Sequence, residues 1–376
     1  METELKDFKS LKVVLVHDWL IHMRGGEKVL EAMAELFPEA VIYTLFFDRK
    51  KLSPALQRMK IKSSFLRNIP GIRKIYRWLL PLLPAAAESI QVESADLVIS
   101  SSHCVAKGIK IPPGAMHICY CHTPMRYLWG YEKEYFGSMA APLRFLARLF
   151  FKTLKNQDLQ SNRKVDFFIA NSVNVQNRIQ NFYGRNSFVL YPPLDTQTYQ
   201  CSAQKPEGEP YYLVVSAFVP YKRVDLVIEA FNSLDRRLLI AGGGPMAQRY
   251  KKLRTSEKIS FLGGLSNLEL QKLYAGAKAL IFPTEEDFGI VPLEAQACGT
   301  PVIAFGKGGA LESVKTGVFF QEQTPEALGQ AVLEFEQKSF SRDKISSLMM
   351  PFSKECFKKQ LSDLIAECLS GAHAKR

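Results

Sequence analysis

Short apolar runs recur along the chain at strand length, and between them apolar residues fall at helical spacing. The first run, LKVVLVHD (11–18), has the uninterrupted character of a strand buried on both faces of a parallel sheet. A loop holding Arg24, Gly25 and Gly26 follows, and the pattern over 27–37 predicts a helix. Further strands are expected at AVIYTLF (40–46), DLVISSS (96–102), MHICYCH (116–122), DFFIANS (166–172) and SFVLYPP (187–193). Helical stretches alternate with them, which is the βα rhythm of a doubly wound sheet.

The rhythm lapses over 192–210, PPLDTQTYQCSAQKPEGEP, whose prolines and polar residues mark a linker with a hinge near 195–210. It then restarts. YYLVVSA (211–217), RLLIAGG (237–243), KISFLGG (258–264), KALIFPT (278–284) and TPVIAFG (300–306) read as strands, with helices between them such as 224–234 and 267–274. The expected organisation is a first α/β domain at 1–195, a second at 196–352, and a helix within 353–376 that packs back on the first. Ligands are expected in a cleft between the domains, at the carboxyl ends of the strands.

Composition adds three constraints. The 376 residues are 47% hydrophobic, enough for two cores. Seven dispersed cysteines make a poor disulfide framework and suit a reducing cytoplasm. Cys119 and Cys121, with His117 and His122, read either as a metal site or as a buried strand ending near the cleft; a lone Cys-x-Cys lacks the second ligand pair of a zinc site. The start, METELKDFKS, has no apolar core of a secretory signal, and no run of about 18 uncharged apolar residues could span a membrane.

The net charge of +12 is unevenly placed. Between residues 49 and 87 there are ten Lys or Arg and no acid, interleaved with Phe65, Leu66, Ile72, Ile75, Tyr76, Trp78, Leu79 and Leu80. A second acid-free stretch, 138–157, carries Arg144, Arg148, Lys152 and Lys155, with Leu143, Leu146, Ala147, Phe150, Phe151 and Leu154 at helical spacing. Such surfaces suit an anionic membrane face; the alternative is a solvated helix face packed on a core. No nucleic-acid motif accompanies the charge, so nucleic acid is not the expected partner.

The strongest chemical signal is TEEDFGIVPLEAQACGTPVIA (284–304). Glu286 lies just beyond a strand, Gly289 permits a tight turn, a helix begins near Ile290, and Glu294 points from an early turn toward the same cleft. Carboxylates accept paired hydroxyl hydrogen bonds, which suits sugar or ribose diols, and free amides at the helix start suit a phosphate. The alternative is two exposed carboxylates that stabilise a helix N-terminus. There is no Asp-x-Asp for a divalent metal, no GxSxG, and no G-x-G-x-x-G after the first strand.

The run EDFGIVPLEAQACGTPVIA with GKGGALE (306–312) closely resembles the signature of the retaining family 4 glycosyltransferases of GT-B fold. The likeness extends to PYKRVDLVIEAF (220–231), AGGGP (241–245), FLGGLSNLEL (261–270) and MRGGEKVLE (23–31). HDWL (17–20), CHTPMRYLW (121–129) and VPYKRVD (219–225) are similar to bacterial mannosyltransferases of O-antigen and related surface polysaccharides. The resemblance implies two facing Rossmann-like domains and transfer of a hexose, mannose from GDP-mannose first, with retention to a lipid-linked saccharide. It implies Glu294 on the donor ribose, Glu286 by the transferred sugar with the amides of Phe288, Gly289 and Ile290, and Lys222 on the diphosphate. Gly25 and Gly26 would approach the diphosphate, Gly263, Gly264 and Leu265 the base, and His122 the transferred sugar. The family often has Arg five residues before the lysine; here it is Ala217, and Arg223 is the candidate substitute. Neither metal nor organic cofactor is expected, and the protein is expected on the inner face of the cytoplasmic membrane. The rival expectations are another GT-B enzyme, such as an epimerase or phosphorylase, and a catalytically silent glycan- or membrane-binding subunit.

Overall fold

The computed structural model describes residues 8, 10–76, 79–126, 128–130, 141–201 and 208–371, with the side chains of 141–149 left out of the description. The chain divides into two units, Met1–Pro193 with Phe357–Arg376, and Leu194–Cys356. Each is an α/β unit built on a wholly parallel sheet. Only helices of eight residues or more are numbered below.

The first unit contains β1 (Val13–His17), α1 (Gly25–Leu36), β2 (Val41–Thr44), β3 (Lys60–Ser63), β4 (Leu97–Ser102), β5 (Met116–Cys121), α2 (Ala141–Asn162), β6 (Phe167–Ala170), α3 (Val173–Tyr183) and β7 (Ser187–Val189). Its strand order is β3-β2-β1-β4-β5-β6-β7. Every residue of β1 is buried, as its apolar run requires. Alternate residues feed two cores: Val13 and Leu15 face one, Val14 and Val16 the other. Cys119 and Cys121 are buried strand residues on β5, and among the described residues no group of three or more His, Cys, Asp or Glu could hold a metal ion.

The sequence pattern passed over β3. KIKS alternates its two lysines with Ile61 and Ser63 at a sheet edge, where lysines blunt an otherwise unpaired strand, and Ile61 packs against the core. The basic 49–87 segment is divided in its burial. Leu66 and Ile72 enter the core, whereas Phe65, Ile75 and Leu82 are exposed. Arg77 and Trp78 lie outside the described residues, as do the side chains of Leu143, Arg144, Leu146, Ala147 and Arg148. Of the rest of α2, Leu154 is buried and Phe150 and Phe151 pack against the core. Among the described residues no helix is long and apolar enough to cross a membrane.

A buried ion pair ties α2 to the turn that follows β4. Lys107 and Asp158 have side chains 2% and 1% exposed, and Asp158 also accepts from Trp129 Nε1 at 2.7 Å and the Tyr183 hydroxyl at 2.9 Å. The carboxylate is satisfied on several sides, as a charge out of water must be.

The second unit contains β8 (Tyr211–Ala217), α4 (Val224–Ser233), β9 (Leu238–Gly243), β10 (Ile259–Gly263), α5 (Asn267–Gly276), β11 (Ala277–Phe282), α6 (Ile290–Ala297), β12 (Val302–Phe305), β13 (Gly317–Phe320) and α7 (Pro325–Glu336). The strand order is β10-β9-β8-β11-β12-β13. The pattern did not reveal β13 either. It is four residues long and opens on Gly317 at φ +151°, where a Cβ would stand 1.8 Å from the Val302 carbonyl oxygen. Within the proline-rich stretch, Leu194 N donates to Phe352 O at 2.7 Å, and Tyr199 is buried against Tyr274 with ring centroids 5.9 Å apart. The last helix, α8 (Lys354–Leu369), sends Phe357, Leu361, Ile365 and Cys368 into the first unit's core. Lys358 pairs with Glu35 there. Burying Phe357, Leu361 and Ile365 contributes about 1.5–3 kcal/mol each.

Strand order reverses direction once in each sheet, between β1 and β4 and between β8 and β11. Ligands of open parallel sheets bind beyond the carboxyl ends of the strands flanking such a point.

Candidate functional site

In the second unit, both flanks of the reversal carry chemistry. Past β8 the chain makes a single 3-10 turn, Pro220–Lys222, which delivers Lys222; past β11 it enters the loop of Glu286. Thr284 Oγ1 donates to the Tyr221 carbonyl at 3.0 Å and joins the two loops. Lys222 Nζ forms an ion pair with Glu286, with side chains 16% and 20% exposed. The structure thus brings the candidate cation and the candidate carboxylate together from positions 64 residues apart.

Glu286 is held from behind by backbone. Gly309 N donates to the Glu286 carbonyl at 2.7 Å, and Gly308 bridges the same residue. A Cβ on Gly309 would stand 2.2 Å from Phe288 Cα, so only glycine permits this approach. Gly289 (φ +95°) begins α6 with no side-chain cap, leaving the amides near Phe288, Gly289 and Ile290 as the polar end of the helix.

Glu294 lies on α6 and is 6% exposed. The Tyr274 hydroxyl donates to it at 3.1 Å, and Tyr199 is hydrogen-bonded to it as well. Burial and the Glu294 charge push both phenols up, so both remain donors. A carboxylate offers about four acceptor positions, so more than one donor can share it. Tyr199 and Tyr274 were not identified from sequence; aromatic residues in a linker and at a helix end carry no signal of a carboxylate partner.

Lys222 and Arg223 part company. Arg223 adopts φ +52°, the left-handed region, alone among the described non-glycine residues. Its guanidinium lies 3.6 Å from Asp225 and 3.5 Å from Gln323 Oε1, not on Glu286. Ala217 ends β8, exposed, beside Gly243. Gly263 (φ +76°) and Gly264 are exposed at the end of β10, and Leu265 leads into α5, whose Ser266–Glu269 capping box fixes the turn.

In the first unit, Gly25 and Gly26 open α1, and His122 follows β5. A Cβ on Gly26 would meet His17 Cε1 at 3.4 Å and His122 Nε2 at 3.5 Å. Sequence reasoning missed what surrounds them. Asp18, fully buried past β1, accepts four main-chain amides: Val105 and Ala106 on Oδ1 at 2.6 and 2.7 Å, His103 and Cys104 on Oδ2 at 2.7 and 3.0 Å. His103 Nδ1 lies 3.0 Å from the same Oδ2. Burial opposes ionisation of Asp18, but His103 and the amides hold its carboxyl well below the usual range. Burial would lower His103, yet the Asp18 carboxylate holds it above its ordinary value. The signal was in the HDWL motif, but its partner lies 85 residues away.

Residues 195–347 match the family model described as glycosyl transferases group 1. The second unit carries a group 1 glycosyl transferase domain. An uncharacterized glycosyltransferase of Methanocaldococcus jannaschii is 23% identical over 360 residues, 92% of this chain and 94% of that one. The GDP-mannose-dependent alpha-(1-6)-phosphatidylinositol monomannoside mannosyltransferase of Mycobacterium tuberculosis is 34% identical over 145 residues. That match spans 33% of this chain and 38% of the relative. Among solved structures, Anabaena HepE in complex with UDP superposes with TM-score 0.69 at 16% identity, over 95% of this chain and 100% of that one. Sucrose-phosphate synthase from Thermosynechococcus elongatus superposes with TM-score 0.72 at 18% identity, over 96% and 100%. The fold is that of the GT-B glycosyltransferases, two Rossmann-like parallel-sheet domains. The Lys222–Glu286 pair and the Glu294 carboxylate all lie inside the glycosyl transferase domain.

Proposed function

We propose that the protein is a retaining hexosyltransferase of glycosyltransferase family 4. It moves mannose from GDP-mannose to a hydroxyl of a lipid-linked saccharide during assembly of a surface polysaccharide such as O-antigen. The observation that carries the reading is the Lys222–Glu286 pair at the strand-order reversal of a group 1 glycosyl transferase domain. Lys222 neutralises charge that grows on the departing diphosphate, a developing charge worth stabilising in a partly dry site. Glu286 accepts hydroxyls of the transferred sugar, with the amides of Phe288, Gly289 and Ile290 beside it. Glu294, steadied by two tyrosines, accepts the ribose diol. Gly263, Gly264 and Leu265 flank the base. Gly25 and Gly26 approach the diphosphate, and His122 attends the transferred sugar. Arg223 contributes less than Lys222, since it is engaged elsewhere. The departing phosphate assists deprotonation of the acceptor on the same face, which retains the configuration. No divalent ion enters this scheme.

The choice of mannose draws on the partial relative whose name specifies GDP-mannose; the solved neighbours named with UDP and UDP-glucose make uridine nucleotides the first comparison. Exposed Phe65, Ile75 and Leu82 among Lys60, Lys62, Arg67, Arg73 and Lys74 support docking of the first unit on an anionic inner membrane face. Lys62 and Arg73 are partly engaged by Glu93 and Asp48. Turnover of GDP-mannose and UDP-glucose by wild type, Glu286→Ala and Glu294→Ala tests the reading. Glu294→Ala is expected to weaken nucleotide binding, and Glu286→Ala to lower turnover more than binding. Unchanged behaviour of both variants refutes the site. Equal, negligible co-sedimentation with anionic and neutral vesicles refutes the docking.

A further inference from the structure

Arg223, next to Lys222, is the one described non-glycine residue with a left-handed backbone, at φ +52° and ψ 35°. That conformation costs an arginine free energy that glycine avoids. Strain of this kind gathers at functional sites, where surrounding contacts hold it in place. The side chain must therefore do something at this position that glycine cannot.

Its contacts lead to the loop that carries Glu286. Arg223 Nη1 donates to Gln323 Oε1 at 3.5 Å, and Gln323 Nε2 donates in turn to the Pro283 carbonyl at 2.8 Å. Gln323 stands past β13 and Pro283 past β11, so one glutamine bridges the arginine to the opposite loop. On the other side of Lys222, the Tyr221 carbonyl accepts from Thr284 Oγ1 at 3.0 Å, and Thr284 is 2% exposed. The residues before and after Lys222 are thus each tied to the pair Pro283 and Thr284. Two residues beyond Thr284 stands Glu286, the partner of Lys222 itself. The approach to the turn is fixed as well. Phe218 N donates to the Gly243 carbonyl at 2.9 Å, Met246 N to the Phe218 carbonyl at 3.1 Å, and Lys222 N to the Val219 carbonyl at 3.1 Å. A lysine carries its charge on a flexible four-carbon stem, so the place of the ammonium depends on how firmly its backbone is held. Asp225, 3.6 Å from Arg223 Nε, offsets the guanidinium charge, which suits that group to bracing rather than to meeting an anion.

We propose that Arg223 and Gln323 are positioning residues for Lys222: with Thr284 they clamp the Lys222 turn to the Glu286 loop, and Arg223 does not itself touch the donor diphosphate. This rests on the glycosyltransferase reading for its chemistry, and one arm of its test does not. Arg223→Gly keeps the left-handed turn and removes only the side chain. Gln323→Ala removes both bridges, and Gln323→Glu keeps an acceptor for Arg223 but cannot donate to Pro283. The full chain and these variants are treated with N-hydroxysuccinimidyl acetate, and acetylation of Lys222 is followed by peptide mass spectrometry. An amine held on Glu286 reacts slowly, so severalfold faster acetylation is expected in all three variants. The second arm is single-turnover kinetics with saturating GDP-mannose and, separately, UDP-glucose. Each variant is expected to lose about tenfold in rate, the effect of a small misplacement of a charged group. Arg223→Gly with Gln323→Ala should lose no more than either alone, because both break one bridge. Losses that multiply, with GDP binding weakened by Arg223→Gly but not by Gln323→Ala, place Arg223 on the diphosphate and overturn the proposal. Acetylation of Lys222 at the wild-type rate in all three variants overturns it too. Faster acetylation without turnover of either donor sustains the clamp and counts against the glycosyltransferase reading alone.

Discussion

Asp18→Asn isolates one buried carboxylate on which the loop past β4 depends. Oδ1 accepts the amides of Val105 and Ala106, and Oδ2 those of His103 and Cys104 together with His103 Nδ1. Asparagine keeps the shape but replaces one acceptor oxygen with a donor. In its better orientation the new NH₂ faces Val105 N and Ala106 N, and two buried amides lose their acceptor. At about 1–3 kcal/mol for each orphaned group, the first unit should lose about 2–6 kcal/mol. All three tryptophans, Trp19, Trp78 and Trp129, lie in the first unit, so urea unfolding followed by tryptophan fluorescence reports that unit separately, where a whole-chain signal would mix two transitions. A loss below about 1 kcal/mol would refute the claim that Asp18 carries the loop, because ordinary surface substitutions produce changes within that size.

Lys107→Met strands the Asp158 carboxylate with only Trp129 and Tyr183, and should cost the first unit about 3–5 kcal/mol in the same assay; adding Asp158→Leu should recover part of it. Lys222→Ala should lower the rate of donor turnover on the order of 10²-fold, and Arg223→Ala by less, since Asp225 and Gln323 already engage it; single-turnover kinetics with saturating donor separates the two. His117 predicts an acid limit. It is buried, with Nδ1 on the Lys164 carbonyl at 2.7 Å and Nε2 on Ser100 Oγ at 2.8 Å, and burial pushes its pKa down to about 4. A depressed histidine stabilises fully above its unfolded value near 6.5. That contribution, about 3 kcal/mol at 1.36 kcal/mol per unit, is lost as pH falls from about 6.5 toward about 4. His17 and His122 act in the same direction, and His103 opposes them, so first-unit stability should fall across this window and His117→Gln should flatten the fall.

Period and punctuation in the sequence determined most of the architecture. Short, mostly apolar runs became β1, β4, β5, β8 and β11, because a central parallel strand is covered on both faces. The turn glycine at Gly289 was legible because φ +95° excludes most side chains. So was the last helix, whose Phe357, Leu361, Ile365 and Cys368 make one stripe. The edges were read unevenly: β7 and β10 were legible in SFVLYPP and KISFLGG, whereas β3 and β13, four residues each, were not. Local pattern also could not assign partners. Lys222 finds Glu286 across 64 residues and Asp18 finds His103 across 85. Tyr274 finds Glu294, and His17 Nε2 has no hydrogen-bond partner among the described residues. The Lys222–Glu286 and Asp18–His103 contacts follow from strand order, which places the ends of distant strands side by side at the reversal of each sheet; Tyr274 meets Glu294 through the packing of α5 on α6. Sequence spacing fixes which face a residue takes; only the closed sheet decides what stands opposite it.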